Sequence, residues 1–116
     1  MRLMASTTPD GRTLAYVETG IEGQLRWRAL DAAGKPVGDV SSFTAPIDQA
    51  VLSPDGKWIA TAMLDNGRFE IFVRAFPPTD NGVSLRRVTS AGCSLPAWMP
   101  NGTQLYFRCG SKIASA

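Results

Sequence analysis

The sequence predicts an all-β fold, a β-propeller segment of about two and a half four-stranded antiparallel blades. Three observations predict it. A short phrase occurs three times, as Thr8-Pro9-Asp10-Gly11, Ser53-Pro54-Asp55-Gly56 and Met99-Pro100-Asn101-Gly102. Pro9 and Pro54 lie 45 residues apart and Pro54 and Pro100 lie 46 apart, a period typical of solenoids, propellers and arrays. Each copy then runs into an apolar, β-prone stretch: Leu14-Ala15-Tyr16-Val17, Trp58-Ile59-Ala60 and Leu105-Tyr106-Phe107. Each is therefore the turn of a β-hairpin.

The turn chemistry accounts for every letter of the phrase. Proline presets φ for the first corner of a type I turn. Asp or Asn follows, with a side chain that bonds back to the local backbone. Glycine then supplies a left-handed residue, so a three-residue hairpin loop with a bulge is expected.

The middle copy is the plainest. Strand one is expected over 49–53 and strand two over 58–64, with Asp65-Asn66-Gly67 as the hairpin tip. Strand three covers 69–76 and stops at Pro77-Pro78, which cannot continue a ladder. A loop rich in Asp, Asn and Gly leads to strand four at 84–89. The first copy gives strands at 3–7, 12–18, 24–30 and 37–43. The third gives 95–99, 104–109 and the start of a third strand at 111–116. Blade 1 accordingly covers about 1–44, blade 2 about 45–90 and an incomplete blade 3 about 91–116.

Two details agree with stacked blades. The second strands are apolar on both faces, whereas a sheet with one solvated face alternates. Pro96 falls in a first strand, which in a propeller is the inner edge, where a missing N–H is tolerated.

Composition narrows the function. The 116 residues make one domain at most, 44% hydrophobic and 19% charged, with 11 Gly and 8 Pro. A net charge of +2 argues for neither nucleic acid nor a membrane surface. Arg86-Arg87, the one adjacent basic pair, reads as a solvated strand end. No stretch has the length of a transmembrane helix, and residues 1–9 do not read as a signal peptide, so no membrane insertion is expected. The chain has no histidine, which removes the usual general base, the commonest metal ligand and every Ser-His-Asp or Cys-His arrangement. Two cysteines without histidine partners make no structural zinc site, and no phosphate-binding or dinucleotide loop occurs. No catalytic residue, no metal and no cofactor are expected.

Cys93 and Cys109 admit two readings. A three-residue loop at 100–102 pairs Met99 with Thr103 and, further out, Cys93 with Cys109. A cross-strand disulfide is one reading. Counting from the turn puts them at a hydrogen-bonded pair, where Cα atoms lie farther apart, so two free thiols are favoured. In a propeller, the hairpin between strands two and three shares one face with the link to the next blade. Those loops are 18–23, 65–68 and 90–94. Binding residues concentrate on loops held by rigid scaffolds, which makes Glu18, Asp65, Asn66, Arg68 and Ser94 binding candidates.

Ser53-Pro54-Asp55-Gly56-Lys57-Trp58-Ile59-Ala60, Glu70-Ile71-Phe72-Val73-Arg74-Ala75-Phe76-Pro77 and Pro96-Ala97-Trp98-Met99-Pro100-Asn101-Gly102 resemble the WD-like repeats of TolB-type β-propellers. Gln24-Leu25-Arg26-Trp27 and Ala33-Gly34-Lys35-Pro36-Val37-Gly38 are similar to the segment between repeats in the propellers C-terminal to bacterial serine/threonine kinases. The resemblance covers nearly the whole chain and implies a sensor or protein-interaction domain, outside the cytoplasmic membrane. It equally implies the TolB component of an envelope complex, or the gating propeller of a prolyl-oligopeptidase-like peptidase. No catalytic residue of the kinases or peptidases has a counterpart here. Asn101 replaces the Asp usual in this turn, and such propellers close with more blades than this chain holds.

The reading is thus a non-catalytic binding module with a protein or peptide partner, the propeller portion of a larger bacterial sensory or envelope protein. Two alternatives stand beside it. One is the accessory propeller of an enzyme whose catalytic domain lies outside this chain. The other is a segment that assembles with copies of itself, as a homo-oligomer, into a closed ring.

Overall fold

A computed structural model describes residues 3–18, 24–44, 47–79, 82–110 and 112–116. Strands β1 (Leu3–Thr7), β2 (Thr13–Glu18), β3 (Gln24–Leu30) and β4 (Pro36–Thr44) form one sheet in chain order. Strands β5 (Ile47–Leu52), β6 (Trp58–Asp65), β7 (Arg68–Ala75) and β8 (Arg86–Arg87) form a second in the same way. Strands β9 (Cys93–Trp98), β10 (Leu105–Cys109) and β11 (Lys112–Ser115) form a third, with β9 at one edge. Neighbouring strands are antiparallel throughout. This is an all-β segment of a propeller, and the sheets are its blades.

The core lies between the blades. Ala15 and Leu25 of the first blade meet Ile47, Ala50, Ile59 and Phe76 of the second. Trp27 stands edge-on to Phe76 with ring centroids 5.9 Å apart. On the other side of the middle blade, Ala60, Ala62 and Ile71 meet Cys93, Leu105 and Phe107. Neighbouring residues of a strand point to opposite faces. Ile59 therefore serves one interface and Ala60 the other, which is why this strand is apolar on both faces.

Each repeated turn closes on four residues, one more than the three expected. Thr8 N–H bonds Thr13 C=O at 3.0 Å, Ser53 bonds Trp58 at 2.8 Å and Met99 bonds Gln104 at 2.9 Å. The glycine amide closes the β-turn onto the residue before the proline in all three copies. In the first two, a hydroxyl completes the device. Thr8 Oγ1 donates to Asp10 Oδ1 at 2.6 Å and accepts from Thr13 N; Ser53 does the same with Asp55 and Trp58. Those hydroxyls, with the Arg12 and Lys57 amides, hold the Asp10 and Asp55 carboxyls below their ordinary value. Met99 has no hydroxyl to offer, so Asn101 needs only to accept the Thr103 amide, at 3.0 Å.

Two first strands are bulged. In β5 an extra residue, Asp48, falls between the pairs Ile47–Met63 and Gln49–Ala62. In β9 Leu95 and Pro96 together face Phe107, and Leu95 has φ of 58°. Pro96 thus sits at a bulge on an edge strand, the two places a sheet tolerates proline.

The bulge also decides the cysteines. Cys93 and Cys109 do face each other, but the longer turn and the bulge together change the kind of pair. Their Cα atoms are 4.2 Å apart, the close spacing of a non-hydrogen-bonded pair, and they form a disulfide. The favoured expectation of free thiols does not hold. Strand four of the middle blade is also shorter than expected, only Arg86–Arg87. Hydroxyls replace carbonyls at its ends: Ser84 Oγ accepts from Ala75 N and Thr89 Oγ1 from Ile71 N, both at 2.9 Å.

Candidate functional site

The β6–β7 hairpin turns through Asn66 and Gly67, both at positive φ (52° and 83°), the geometry of a two-residue I′ loop. This places Asp65 opposite Arg68 and keeps Asn66 exposed at the tip. The next blade is reached through 88–92, which runs back past the same hairpin. Three of the five sequence candidates, Asp65, Arg68 and Ser94, come together here. Asn66 stands on the tip beside them. Glu18 is the last residue of β2, and its loop, 19–23, lies outside the described residues.

What joins the two segments is a residue that was not a candidate. Glu70 is fully buried. Its carboxylate accepts from Thr89 Oγ1 at 2.7 Å and from the Gly92 amide at 3.1 and 3.0 Å, one distance to each oxygen. Arg68 Nε lies 3.3 Å from it and Arg87 Nη2 3.9 Å. Burying a carboxylate without partners is costly. Here the hydrogen-bond donors Thr89 and Gly92 come from the link and Arg68 from the hairpin, so Glu70 fastens one to the other.

The surrounding cations are held as well. Arg68 Nη2 donates to Ser90 C=O at 2.7 Å. Arg87 pairs with Asp65 at 2.5 Å and lies over the Phe72 ring, 5.7 Å from its centroid. Arg87 is therefore part of this network and not an ordinary solvated strand end. Beside Arg68 lies an open cleft of about 320 Å³, lined by Arg68, Phe69, Gly92, Cys93 and Ser94.

Glu70 was legible in one respect. It stands between Phe69 and Ile71 in a strand with both faces covered, where a carboxylate must find partners. Which partners it finds depends on residues 19 and 22 positions away. Two more polar side chains cross the same boundary between blades. Gln49 Oε1 accepts from Leu95 N at 2.6 Å, and Trp98 Nε1 donates to Val51 C=O at 3.1 Å. Among the described residues no group of three or more His, Cys, Asp or Glu stands close enough to hold a metal ion.

No family model matches the chain, and no curated protein matches it. Solved structures do. TolB from Acinetobacter baumannii superposes with a TM-score of 0.70 at 21% identity, over 98% of this chain and 29% of its own. TolB from Agrobacterium tumefaciens gives 0.69 at 23% identity, over 92% of this chain and 38% of its own. The β-propeller domain of the Trilobed protease from Pyrococcus furiosus, described as having an open velcro topology, gives 0.57 at 17% identity, over 92% and 34%. The chain thus has a TolB-like β-propeller fold and spans about a third of the length of these proteins.

Proposed function

We propose that this chain is the propeller portion of a non-catalytic binding module, which engages a protein or peptide through the loop face bearing Glu18, Asp65, Asn66, Arg68 and Ser94. The observation that carries the reading is the Glu70 carboxylate, which ties the β6–β7 hairpin to the Gly92 amide of the next link. Loops fixed to one another in this way keep their shape when a partner arrives, and preorganisation of that kind favours affinity. The absence of histidine supports a role without catalysis. The Cys93–Cys109 disulfide supports an oxidising compartment outside the cytoplasm. Among the described residues no helix is long and apolar enough to cross a membrane.

A second reading has its own observation. Ala97, Tyr106, Arg108 and Ile113 stand on the third blade where Val51, Ala60, Ala62 and Ile71 carry a neighbour on the second, and Ile113 is 74% exposed. This face suits a further blade, whether from a longer chain, including an enzyme's, or from a second copy.

Selection from a random-peptide display library on the immobilised chain tests the first reading. Binders are expected to slow amide hydrogen exchange at 65–68 and 88–94. Binders that protect β10 and β11 instead point to the second reading, and failure to enrich any binder overturns the first.

A further inference from the structure

We infer that the cleft beside Arg68 receives the C-terminal carboxylate of a peptide, with the apolar side chain of its last residue against Phe69. This rests on the loop-face reading above and names the chemistry it recognises. Arg68 is 58% exposed, yet two of its three nitrogens are already held, Nε by buried Glu70 and Nη2 by the Ser90 carbonyl. Among the described residues Nη1 has no partner. The guanidinium is therefore set in one orientation before any ligand arrives and presents its remaining donors to the cleft. Planar recognition of this kind favours carboxylates.

Gly92 makes the placement fit. A Cβ there would stand 3.4 Å from Arg68 Cδ, so the arginine stem lies across a position that carries no side chain. The rest of the lining is Phe69, Cys93 of the disulfide, and Ser94. At about 320 Å³ the cleft lies at the small end of ligand sites and accommodates one residue, not a fold. Charge selects further. Arg68 and Arg87 are matched by Glu70 and Asp65, so no surplus positive charge favours a dianion, and what remains is the one donor corner of Arg68. A dianion such as phosphate finds too few donors here.

The test is an NMR titration of the unaltered chain with N-acetyl-Gly-Leu, whose carboxylate is free, and with the same dipeptide as its C-terminal amide. The free acid is expected to shift the Arg68 Nε–H and the Gly92 and Ser94 amides saturably. The amide is expected to bind about ten-fold more weakly, since it lacks the charge-assisted bonds. Arg68→Lys keeps the charge but loses the fork, and a similar ten-fold loss, about that of the amide, is expected, with spectral changes in the free variant confined to the Glu70, Ser90 and Gly92 contacts that the arginine makes. Equal binding of acid and amide, no saturable shift, or tighter binding of inorganic phosphate overturns the assignment. Loop-face binders from the display library that ignore the state of their C-terminus would sink this inference and leave the module reading standing. Absence of any loop-face binder would sink both.

Discussion

The side-chain oxygen of Gln49 accepts the backbone amide of Leu95 at 2.6 Å, tying the first strand of one blade to the bulge in the first strand of the next. Gln49 is 6% exposed, whereas Leu95 is 52% exposed and held at φ of 58°. The left-handed region costs a residue with a Cβ about 1–2 kcal/mol. The bond offsets that strain. Gln49→Ala leaves the Leu95 amide without this acceptor and is expected to lower stability by about 1–3 kcal/mol. Leu95→Gly relieves the strain and is expected to raise stability by up to about 1 kcal/mol, despite the greater freedom of the unfolded chain. Urea midpoints with unchanged slope check both, and a destabilised Leu95→Gly protein would remove the strain from the account.

Glu70→Ala deprives the Gly92 amide and the Thr89 hydroxyl of their shared acceptor. A loss of about 2–4 kcal/mol is expected, with faster hydrogen exchange at Gly92. Glu70→Gln keeps an acceptor oxygen and costs less, because solvent already screens the exposed Arg68 and Arg87. Equal losses for the two variants would mean that the charge, not the acceptor, holds the link.

Successive turns lie against one another, and their spacing ranks two glycines. A Cβ on Gly56 would meet Pro9 Cδ at 3.0 Å, while one on Gly102 would meet Pro54 Cδ only at 3.8 Å. Both have φ near +70°, at +73° and +72°, so alanine is strained at either site by about 1 kcal/mol or more. Gly56→Ala should therefore be the more damaging, since the proline ring of the preceding turn must move as well. Thermal unfolding of the two variants side by side decides it, and the reverse order would contradict the stacking.

Asp10 and Asp55 carry a pH dependence of known sign. Hydroxyl and amide donors lower both carboxyls below the ordinary 3.8. The folded protein thus binds protons less readily than the unfolded chain. The stabilisation is fully present above the ordinary value and is lost as pH falls below it, through the lowered folded values. Replacing both with Asn, as the third turn already has at Asn101, is expected to flatten the acid limb of a stability–pH curve below about pH 4. An acid limb unchanged in the double variant would show that other carboxylates govern it.

Much of the fold was legible because its determinants are local. Pro9, Pro54 and Pro100 with their glycines mark turns by backbone geometry alone, and Ile59-Ala60 announces a strand covered on both faces. Each loop is one residue longer than its phrase implies, since a turn phrase names its corner and not the pair that closes it. Strand four of the middle blade is shorter than its sequence suggests because Ser84 and Thr89 use hydroxyls where a ladder would use carbonyls. Of the candidate site, Asp65, Arg68 and Ser94 followed from blade topology. Glu70, Arg87 and Gly92 did not, because their roles exist only once two distant segments meet.

The repeat, the hairpins and the antiparallel order of the strands follow from φ preferences and from two-residue periodicity over short stretches of chain. Which buried groups pair across the blade boundary depends instead on how the blades pack. Gln49 meets an amide 46 residues away, and Glu70 meets one 22 away. Cys93 faces Cys109 as the sequence implied, but at a close pair, because the longer turn moved the register by one and the bulge moved it back. A one-residue shift changes every facing pair beyond it. Such shifts are set by packing between blades, which no local pattern records.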